Sequence, residues 1–373
     1  MKKNIFNFTT EQLYDEIKDI VDHKYRTLQI FSSLHKNFRE DFSQITGIPC
    51  EFRENLARNF FFPYFKLICV SESKNNTQKF LFEITDSKSK KFRVESVLIS
   101  EDERNTICVS TQVGCNIRCE FCATGKMGFL KNLDVSQIIL QIYCVKKISK
   151  KNPTNIVFMG MGEPFLNYDN LLNALKILTD KDGLGISSKK ITVSTVGIKN
   201  KIKIFTDDLL KTENKTIKNT KLALSLHTTD QGIREKIIPI ARANKLSELY
   251  QELIYFYRKT KTKITYEYIY FNGLNDTEND IRRLEKLSGM LPCNFNIIPF
   301  HPIKAELNPP LNVFNSSDKA FKGIDNSLFI KSINYFIEQL RNKKVVVNLR
   351  SSSGVDIDAA CGQLATQYQN QIF

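Results

Sequence analysis

The stretch VGCNIRCEFCATGKMGF, from Val113 to Phe129, contains three cysteines, Cys115, Cys119 and Cys122, in the spacing C-x3-C-x2-C. Three thiolates can bind three irons of a 4Fe–4S cube, for which four cysteines are the usual complement. The fourth iron then keeps an open position for a small chelating ligand. A zinc site usually has four protein ligands, and polar residues between the cysteines fit a purely structural role poorly. We therefore expect an iron–sulfur cluster here, with zinc or a structural role as the alternatives.

The composition of the chain points to a large cytoplasmic protein with reduced thiols. Its 373 residues are 42% hydrophobic, which allows a sizeable core. Nine cysteines, an odd number with one tight cluster, favour metal binding or catalysis over a disulfide framework. No run of eighteen apolar residues occurs, and the N-terminal residues do not resemble a signal peptide. We expect no membrane contact.

The net charge of +14 favours a polyanionic partner, most often a nucleic acid. A chain that uses lysine as its default surface residue would carry the same charge without such a partner. Charge alone therefore leaves both interpretations open.

From about residue 104 the pattern alternates between β-rich apolar runs and helical segments. Six such units predict an α/β protein with a parallel sheet, either doubly wound or curved into a partial barrel. A polar loop at 304–326, a helix at Ser327–Arg341 and a strand at Val345–Leu349 follow. The predicted strands are Thr106–Val113, Asn155–Met159, Ile191–Thr195, Leu222–Leu226, Ile264–Phe271 and Phe295–Phe300, and the predicted helices include Val135–Lys147, Leu171–Leu178, Leu246–Arg258 and Glu278–Met290.

The N-terminal part of the chain has a different pattern. A helix start at Thr10, with Asn7 or Thr9 as its cap, is followed by helical periodicity at Tyr25–Phe31 and Glu51–Asn59. Alternating residues at 79–85 and 92–98 predict a β-hairpin. We expect an accessory domain at 1–90, a core domain at 91–354 that includes the second hairpin strand, and a C-terminal segment at 355–373.

Polar or glycine-rich residues end at least four of the predicted strands. In parallel barrels the loops at the carboxyl ends of the strands build the active site. Gly160 and Gly162 alone would suit an ordinary turn, and His227 alone would suit a buried core histidine. Their shared edge is the stronger signal. The strand ends are GMGEP at 160–164, Ser194-Thr195, Ser225-Leu226-His227 and Phe300-His301-Pro302.

Four motifs together resemble one known family. The cysteine loop, GMGEP, SLH at 225–227 and the tail DIDAACGQL at 356–364 are similar to the RlmN/Cfr family of radical S-adenosylmethionine (SAM) adenosine methyltransferases, and most like RlmN. The resemblance runs from about Tyr25 to Leu364. It implies a partial (β/α)6 radical-SAM barrel with a small, mainly helical N-terminal accessory domain and a short C-terminal catalytic tail.

The resemblance also implies the residues that bind the cofactors. Cys115, Cys119 and Cys122 would bind the 4Fe–4S cluster, and SAM would chelate its open iron. Reduction of the cluster would then cleave SAM to a 5′-deoxyadenosyl radical. The family often has Asn at the position of His301, and either side chain can hydrogen-bond the ligand. The implied SAM contacts are Gly162, Glu163, Ser194, Ser225, Leu226, His227 and His301.

Three further residues match catalytic positions of the family. Cys361 would take a methyl group from one SAM, and the radical from a second SAM would abstract hydrogen from that methyl so that its carbon adds to adenine. Cys108 would assist breakdown of the adduct and leave a Cys108–Cys361 disulfide, and Glu95 would be the acid–base carboxylate. From the residues alone, Cys361 is an ordinary thiol near the C-terminus, Cys108 a buried strand residue and Glu95 a charge on the outer face of a hairpin.

The implied substrate is an adenosine in the peptidyl-transferase centre of 23S rRNA, methylated at C2, and tRNA stays open as a second substrate. Lys and Arg of the N-terminal domain would dock RNA, and the target base would be unpaired or flipped out. We expect a monomer that receives electrons from a flavodoxin or a ferredoxin. The alternatives are the Cfr activity, C8 methylation that gives antibiotic resistance, and a non-catalytic RNA-binding protein with a structural zinc.

Overall fold

A computed structural model describes residues 2–315, 326–350 and 353–365. The strands are β1 Lys3–Asn4, β2 Phe60–Phe61, β3 Phe65–Glu72, β4 Thr77–Thr85, β5 Lys91–Glu101, β6 Arg104–Cys108, β7 Gln112–Gly114, β8 Phe129–Asn132, β9 Asn155–Phe158, β10 Ile191–Thr195, β11 Lys221–Ser225, β12 Ile264–Tyr270, β13 Cys293–Pro299 and β14 Val347–Leu349. The helices are α1 Thr10–Ile17, α2 Tyr25–His35, α3 Cys50–Asn59, α4 Ala123–Lys126, α5 Val135–Ser149, α6 Tyr168–Thr179, α7 Lys201–Leu210, α8 Gln231–Ile237, α9 Leu246–Thr260, α10 Glu278–Ser288 and α11 Asn326–Asn342.

A ten-stranded sheet in the order β14-β13-β12-β11-β10-β9-β6-β5-β4-β3 organises the fold. The strands β6, β9, β10, β11, β12, β13 and β14 run parallel to one another, whereas β5 pairs antiparallel with β6. Helices connect these strands, as parallel pairing requires. The alternating pattern of the sequence therefore predicted the α/β class correctly, and the sheet is open, with β14 and β3 as its two edges.

The first predicted strand, Thr106–Val113, is wrong as a single element. The strand β6 ends at Cys108, and the chain then leaves the sheet to form β7, which pairs antiparallel with β8. Gly114 at φ +71° allows β7 to pair closely with β8, because a Cβ there would lie 1.7 Å from the carbonyl oxygen of Gly128. The departure carries the cysteine loop to the edge of the sheet.

The predicted hairpin is present and lies in the same sheet as the barrel. The strands β4 and β5 pair antiparallel. Thr77 lies opposite Ile99 at one end and Thr85 lies opposite Lys91 at the other, and β5 also pairs with β6. The strand β3 extends this region and was not predicted. The expected domain boundary at 90/91 falls in the turn between β4 and β5, and it stays a prediction.

The N-terminal helices pack against the helices of the barrel. Thr9, rather than Asn7, caps α1 in a capping box with Gln12. The imidazole Nδ1 of His35 on α2 lies 2.9 Å from the hydroxyl of Tyr143 on α5. The predicted capping box between Asp134 and Gln137 at the start of α5 is confirmed. The His35–Tyr143 contact joins α2 to α5, and a hydrogen bond of 2.7 Å from the Thr10 hydroxyl to Asp180 joins α1 to the end of α6.

Two apolar clusters stabilise this arrangement. The larger one lies between the sheet and the surrounding helices. The smaller one joins Cys115 and Cys119 to Ile237 of α8 and to Phe271 after β12, so the cysteine loop rests on a packed base. No helix within the described residues is both long enough and apolar enough to cross a membrane.

Candidate active site

A cavity of about 240 Å³ lies at the carboxyl ends of the parallel strands. It gathers most of the side chains that the sequence placed at strand ends, which confirms the expectation of a shared edge. Leu226 and Glu95 lie outside its lining. The predicted site residues that line it are Cys108, Cys115, Cys119, Cys122, Gly162, Glu163, Ser194, Ser225, His227, His301 and Cys361.

Backbone hydrogen bonds shape the cysteine loop. The N–H of Cys115 donates to the carbonyl of Gly128 at 3.0 Å, and that of Cys122 donates to Cys119 at 3.2 Å. A Cβ at Gly125 would lie 3.0 Å from the backbone N and O of Cys119, so α4 approaches the loop closely only because this residue is glycine. The loop holds all three thiols against one cavity.

The environment of the three thiols favours binding of a positively charged group. Burial raises the pKa of Cys115 to about 12 and the pKa of Cys119 well above its ordinary value, and the neighbouring thiolates raise both further. Burial therefore keeps these groups as thiols unless cations stabilise their thiolate forms. In the described part of the chain, no group of three His, Cys, Asp or Glu side chains is arranged to hold one metal ion. In a cube each cysteine ligates its own iron, so the three thiols fit a 4Fe–4S cluster.

Glu163 joins the ends of β9 and β10. Its two carboxylate oxygens accept hydrogen bonds from the N–H of Phe165 at 3.0 Å and of Val196 at 2.9 Å. Burial raises its pKa to about 7. Gly162 has a φ of +99°, and a Cβ at this position would lie 2.5 Å from the Cβ of Gln112, so the turn requires glycine. The carboxylate thus holds the glycine-rich turn at the cavity wall.

The neighbouring strand ends present neutral polar groups. Burial lowers the pKa of His227 to about 3, and its Nδ1 accepts a hydrogen bond from the N–H of Ile269 at 3.2 Å. The ring proton therefore lies on Nε2. The hydroxyls of Ser194 and Ser225 are 3.4 Å apart. Leu226 is fully buried, so its side chain packs in the core.

The C-terminal tail lies directly on the cysteine loop. The carbonyl of Gly362 accepts a hydrogen bond from the N–H of Ala123 at 2.7 Å, and the carbonyl of Leu364 accepts one from the Thr124 hydroxyl at 2.5 Å. These bonds bring Cys361 to the cavity that Cys108 also lines. Cys361 has accessible surface because the cavity is open, and the surrounding protein atoms still raise the pKa of its thiol.

Glu95 lies in a second cavity, beside Lys79, Lys304 and Asp358. It is only 4% exposed, so it does not lie on a solvated hairpin face. Its carboxylate is 3.5 Å from the ammonium of Lys79. Burial raises its pKa to about 7 although Lys79 acts in the opposite direction. The tail lines both cavities and is the segment that lies next to Glu95 and to the cysteines.

Two buried charged residues near the cavity were missed. Glu267 lines it from β12 and accepts a hydrogen bond from the amide of Asn296 at 2.8 Å. A carboxylate inside the apolar run ITYEYIY was a signal that could have identified it. Arg234 on α8 is completely buried, and its polar helical context offered no comparable signal.

Comparisons with known proteins agree with this geometry. Residues 109–284 match the family model of the Radical SAM superfamily. The chain is 36% identical to the probable dual-specificity RNA methyltransferase RlmN of Flavobacterium psychrophilum, with 98% of each chain covered. It is 37% identical to the protein of the same name from Salinibacter ruber, over 94% of this chain and 92% of that one.

A solved structure shares almost the whole fold. A crystal structure of a radical SAM methyltransferase from Sphaerobacter thermophilus matches with a TM-score of 0.81 at 29% identity, covering 97% of this chain and 98% of that chain. The likeness therefore includes the N-terminal helices and the tail as well as the barrel. Because relatives this similar match along almost its entire length, the chain belongs to the RlmN/Cfr family of radical S-adenosylmethionine enzymes.

Proposed function

We propose that the protein is a radical SAM methyltransferase that methylates C2 of an adenosine in the peptidyl-transferase centre of 23S rRNA. The observation that carries this proposal is that one cavity gathers five cysteines. Three come from the cluster loop, and Cys108 and Cys361 come from β6 and the tail. A site for a cluster and SAM alone would not require the last two. The names of the relatives, RNA methyltransferases, support an RNA substrate.

The residues of the cavity divide between two cofactors. Cys115, Cys119 and Cys122 would hold the 4Fe–4S cluster, which when bound supplies the electron that cleaves the sulfonium of SAM. The turn at Gly162 lets the backbone approach SAM closely, and Glu163 keeps that turn in place. One SAM per turnover is the methyl donor and a second is the radical source. The other residues proposed to contact SAM are Ser194, Ser225, His227 and His301, which line the cavity, and Leu226, which directly follows β11.

Cys361 would carry the methyl group. Its sulfur forms a bond to the methyl carbon as the bond from that carbon to the SAM sulfur breaks, and the thiol proton leaves. A hydrogen atom would pass from that methyl to the 5′-deoxyadenosyl radical, and the remaining methylene radical would add to C2 of adenine. The adduct would then give up its unpaired electron to the oxidised cluster before the C2 proton leaves. The RNA is now linked covalently to the tail, which hydrogen bonds hold beside the cavity.

Cys108 and Glu95 would release the product. Glu95, with its pKa near 7, is suited to accept the proton from C2. The sulfur of Cys108 would then lose its proton and attack the sulfur of Cys361. The electron pair of the broken carbon–sulfur bond would go to the carbon, which takes up a proton and becomes the methyl group, and the disulfide that remains would be reduced by two electrons. Burial raises the pKa of Cys108 to about 12. Both cysteines thus stay thiols at neutral pH, which disfavours premature disulfide formation.

The N-terminal residues 2–90 would dock the RNA. Tyr25 is 48% exposed, and the guanidinium of Arg26 lies 4.8 Å from the centre of its ring. Tyr64 is 41% exposed. The ammonium of Lys91, which is the first residue of β5 and lies just beyond this segment, is 5.9 Å from the centre of the Tyr64 ring. Aromatic faces beside cations suit both the bases and the phosphates of RNA.

We expect the affinity for 23S rRNA fragments to fall steeply as salt rises, because phosphate contacts release counterions. Binding is measured by filter retention between low and physiological salt. The variants Arg26→Gln and Lys91→Gln should each reduce the slope of log affinity against log salt by about 1 if the side chain binds one phosphate. A slope near zero in the unmodified protein would exclude docking through basic residues.

The electron donor would be a flavodoxin or a ferredoxin, and the protein would act as a cytoplasmic monomer. Turnover with either carrier as the sole reductant tests the first assignment. Light scattering of the purified protein tests the second, since it should report the mass of a single chain.

Nucleoside analysis tests the proposed activity. The anaerobically reconstituted protein is incubated with SAM, a reductant and either a 23S rRNA fragment or tRNA, and the digested RNA is compared with C2- and C8-methyladenosine standards. We expect C2-methyladenosine from the rRNA, and tRNA shows whether the "dual-specificity" in the relatives' name extends to this chain. C8-methyladenosine would establish the Cfr activity instead. A colourless protein that binds zinc and RNA without methylation would establish the non-catalytic alternative.

A further inference from the structure

Arg234 is a buried charged residue that the chemistry above does not use. It lies on α8 with none of its surface exposed. Its Nη2 donates hydrogen bonds to the carbonyls of Val196 at 2.7 Å and Ser225 at 3.0 Å, and its Nε donates to Leu226 at 3.3 Å. These carbonyls stand at the ends of β10 and β11. The guanidinium therefore joins two strand ends that border the cavity.

The positive charge of this side chain has no carboxylate partner within the described residues. The groups that favour its charged form are the thiolate of Cys119 and the phenolate of Tyr250, both acting against the effect of burial. Its Nη1 is buried and finds no hydrogen-bond partner among the residues that the structure describes. A buried cation without an anion is strongly unfavourable. We therefore expect a negatively charged group close to the Arg234 guanidinium.

The cysteine loop is packed against α8 at this point. The N–H of Glu120 donates to the carbonyl of Ile237 at 2.9 Å. Ile237 lies about one helical turn after Arg234 and belongs to the same apolar cluster as Cys119. A thiolate that ligates iron would supply the missing negative charge.

We propose that Arg234 is the buried counter-ion of the 4Fe–4S cluster held by Cys119, and that its charge raises the reduction potential of that cluster. Net charge and the surroundings of the sulfurs set such potentials. The cluster gains one negative charge when it is reduced, and a fixed cation in a buried setting stabilises the reduced form more than the oxidised form. Arg234 is a positioning residue, because its hydrogen bonds are to backbone carbonyls at the ends of β10 and β11.

The inference rests on the cluster assignment made under the proposed function. Its chemical consequence is that electron uptake becomes easier without any added ligand. The same side chain has a separate, purely structural role as the clamp on β10 and β11. An informative experiment has to separate the charge from the clamp.

Three variants make this separation. Arg234→Met removes the charge and keeps a similar volume without a new buried polar group. Arg234→Lys keeps the charge and loses the forked hydrogen bonds. Lys245→Gln is the matched control, since it removes one positive charge from an exposed side chain that pairs with Glu235 on α8. Each protein is reconstituted anaerobically, its iron content is determined, and its midpoint potential is measured by electrochemical titration.

We expect Arg234→Met to lower the ratio of reduced to oxidised cluster at a fixed potential about tenfold, which is a midpoint about 59 mV more negative for one electron. Arg234→Lys should keep the potential of the unmodified protein while its melting temperature falls. Lys245→Gln should change neither. A potential unchanged in Arg234→Met at full iron content, or shifted equally in Arg234→Lys, would overturn the inference.

Two further results can be told apart from a failure of the inference: a variant that does not fold, and an unmodified protein that binds no iron. If Arg234→Met does not fold, Arg234→Gln replaces it as the neutral variant. A midpoint in Arg234→Lys that moves to more negative potential despite the retained charge would then contradict the proposal. If the unmodified protein itself binds no iron, the proposed function fails, whatever the variants do.

Discussion

Replacing Cys119 by alanine is expected to leave the reconstituted protein without an iron–sulfur cluster and without methyltransferase activity. The same result is expected for Cys115→Ala and Cys122→Ala. The loop supplies three thiols, so losing one leaves two to hold a cube that already lacks a fourth protein ligand. Iron per chain and near-ultraviolet to visible absorbance after anaerobic reconstitution measure the loss directly, and activity should fall below detection.

Cys293→Ala is the matched control for these variants. Cys293 begins β13 and is half-buried, yet it does not line the cavity of the cysteine loop. Its replacement should leave iron content and activity near those of the unmodified protein. Melting curves of all four variants separate cluster loss from unfolding. A loop variant that retains a full cluster and methylates RNA would show that the cysteine assignment is wrong.

The regular part of the fold could be predicted because its signals are local. Strands such as Ile191–Thr195 and the helix starting at Val135 are set by apolar periodicity and by a capping box within a few residues. The break between β6 and β7 could not be predicted in this way. After the break, β7 pairs with β8, and this pairing brings Gly114 against Gly128, two residues far apart along the loop. The predicted strand 106–113 runs across that break although Ser110, Thr111 and Gln112 are polar, because Ser and Thr also occur within strands.

The same distinction applies to the site. Ser194, Ser225 and His227 could be placed together because polar residues at the ends of parallel strands share one edge. The burial of Glu95 depends on its partners across the sheet and on the tail. Arg234 acts through carbonyls of two other strands, so its setting exists only once the sheet has formed. Tertiary contacts, rather than residue patterns, determine both environments.

A second large effect is expected when Cys361 or Cys108, the two cavity cysteines outside the cluster loop, is replaced. Without Cys361 no methyl group can be mounted, so Cys361→Ala should form no link between protein and RNA. In Cys108→Ala the methyl is mounted and its carbon adds to adenine, but the adduct cannot be resolved. RNA should therefore stay attached to Cys361. The two variants should be equally inactive in turnover and differ completely on a denaturing gel.

Two further variants refine this comparison. Glu95→Gln should also accumulate the adduct if Glu95 accepts the proton from C2, because the following sulfur exchange would be blocked. Cys144→Ala, a half-buried cysteine of α5 outside the cavity, should turn over normally. An adduct in Cys144→Ala would mean that trapping reflects general loss of cysteine and not the role of Cys108.

The central claim is that Cys361 carries the carbon that becomes the methyl group of the RNA. The most direct measurement is the mass of the Cys361 peptide from Cys108→Ala, purified from cells that supply substrate RNA and digested with nuclease. The account predicts an adenosine nucleotide joined to that peptide through one carbon. An unmodified Cys361 peptide from a protein with an intact cluster, or a nucleotide adduct in Cys361→Ala, would contradict it.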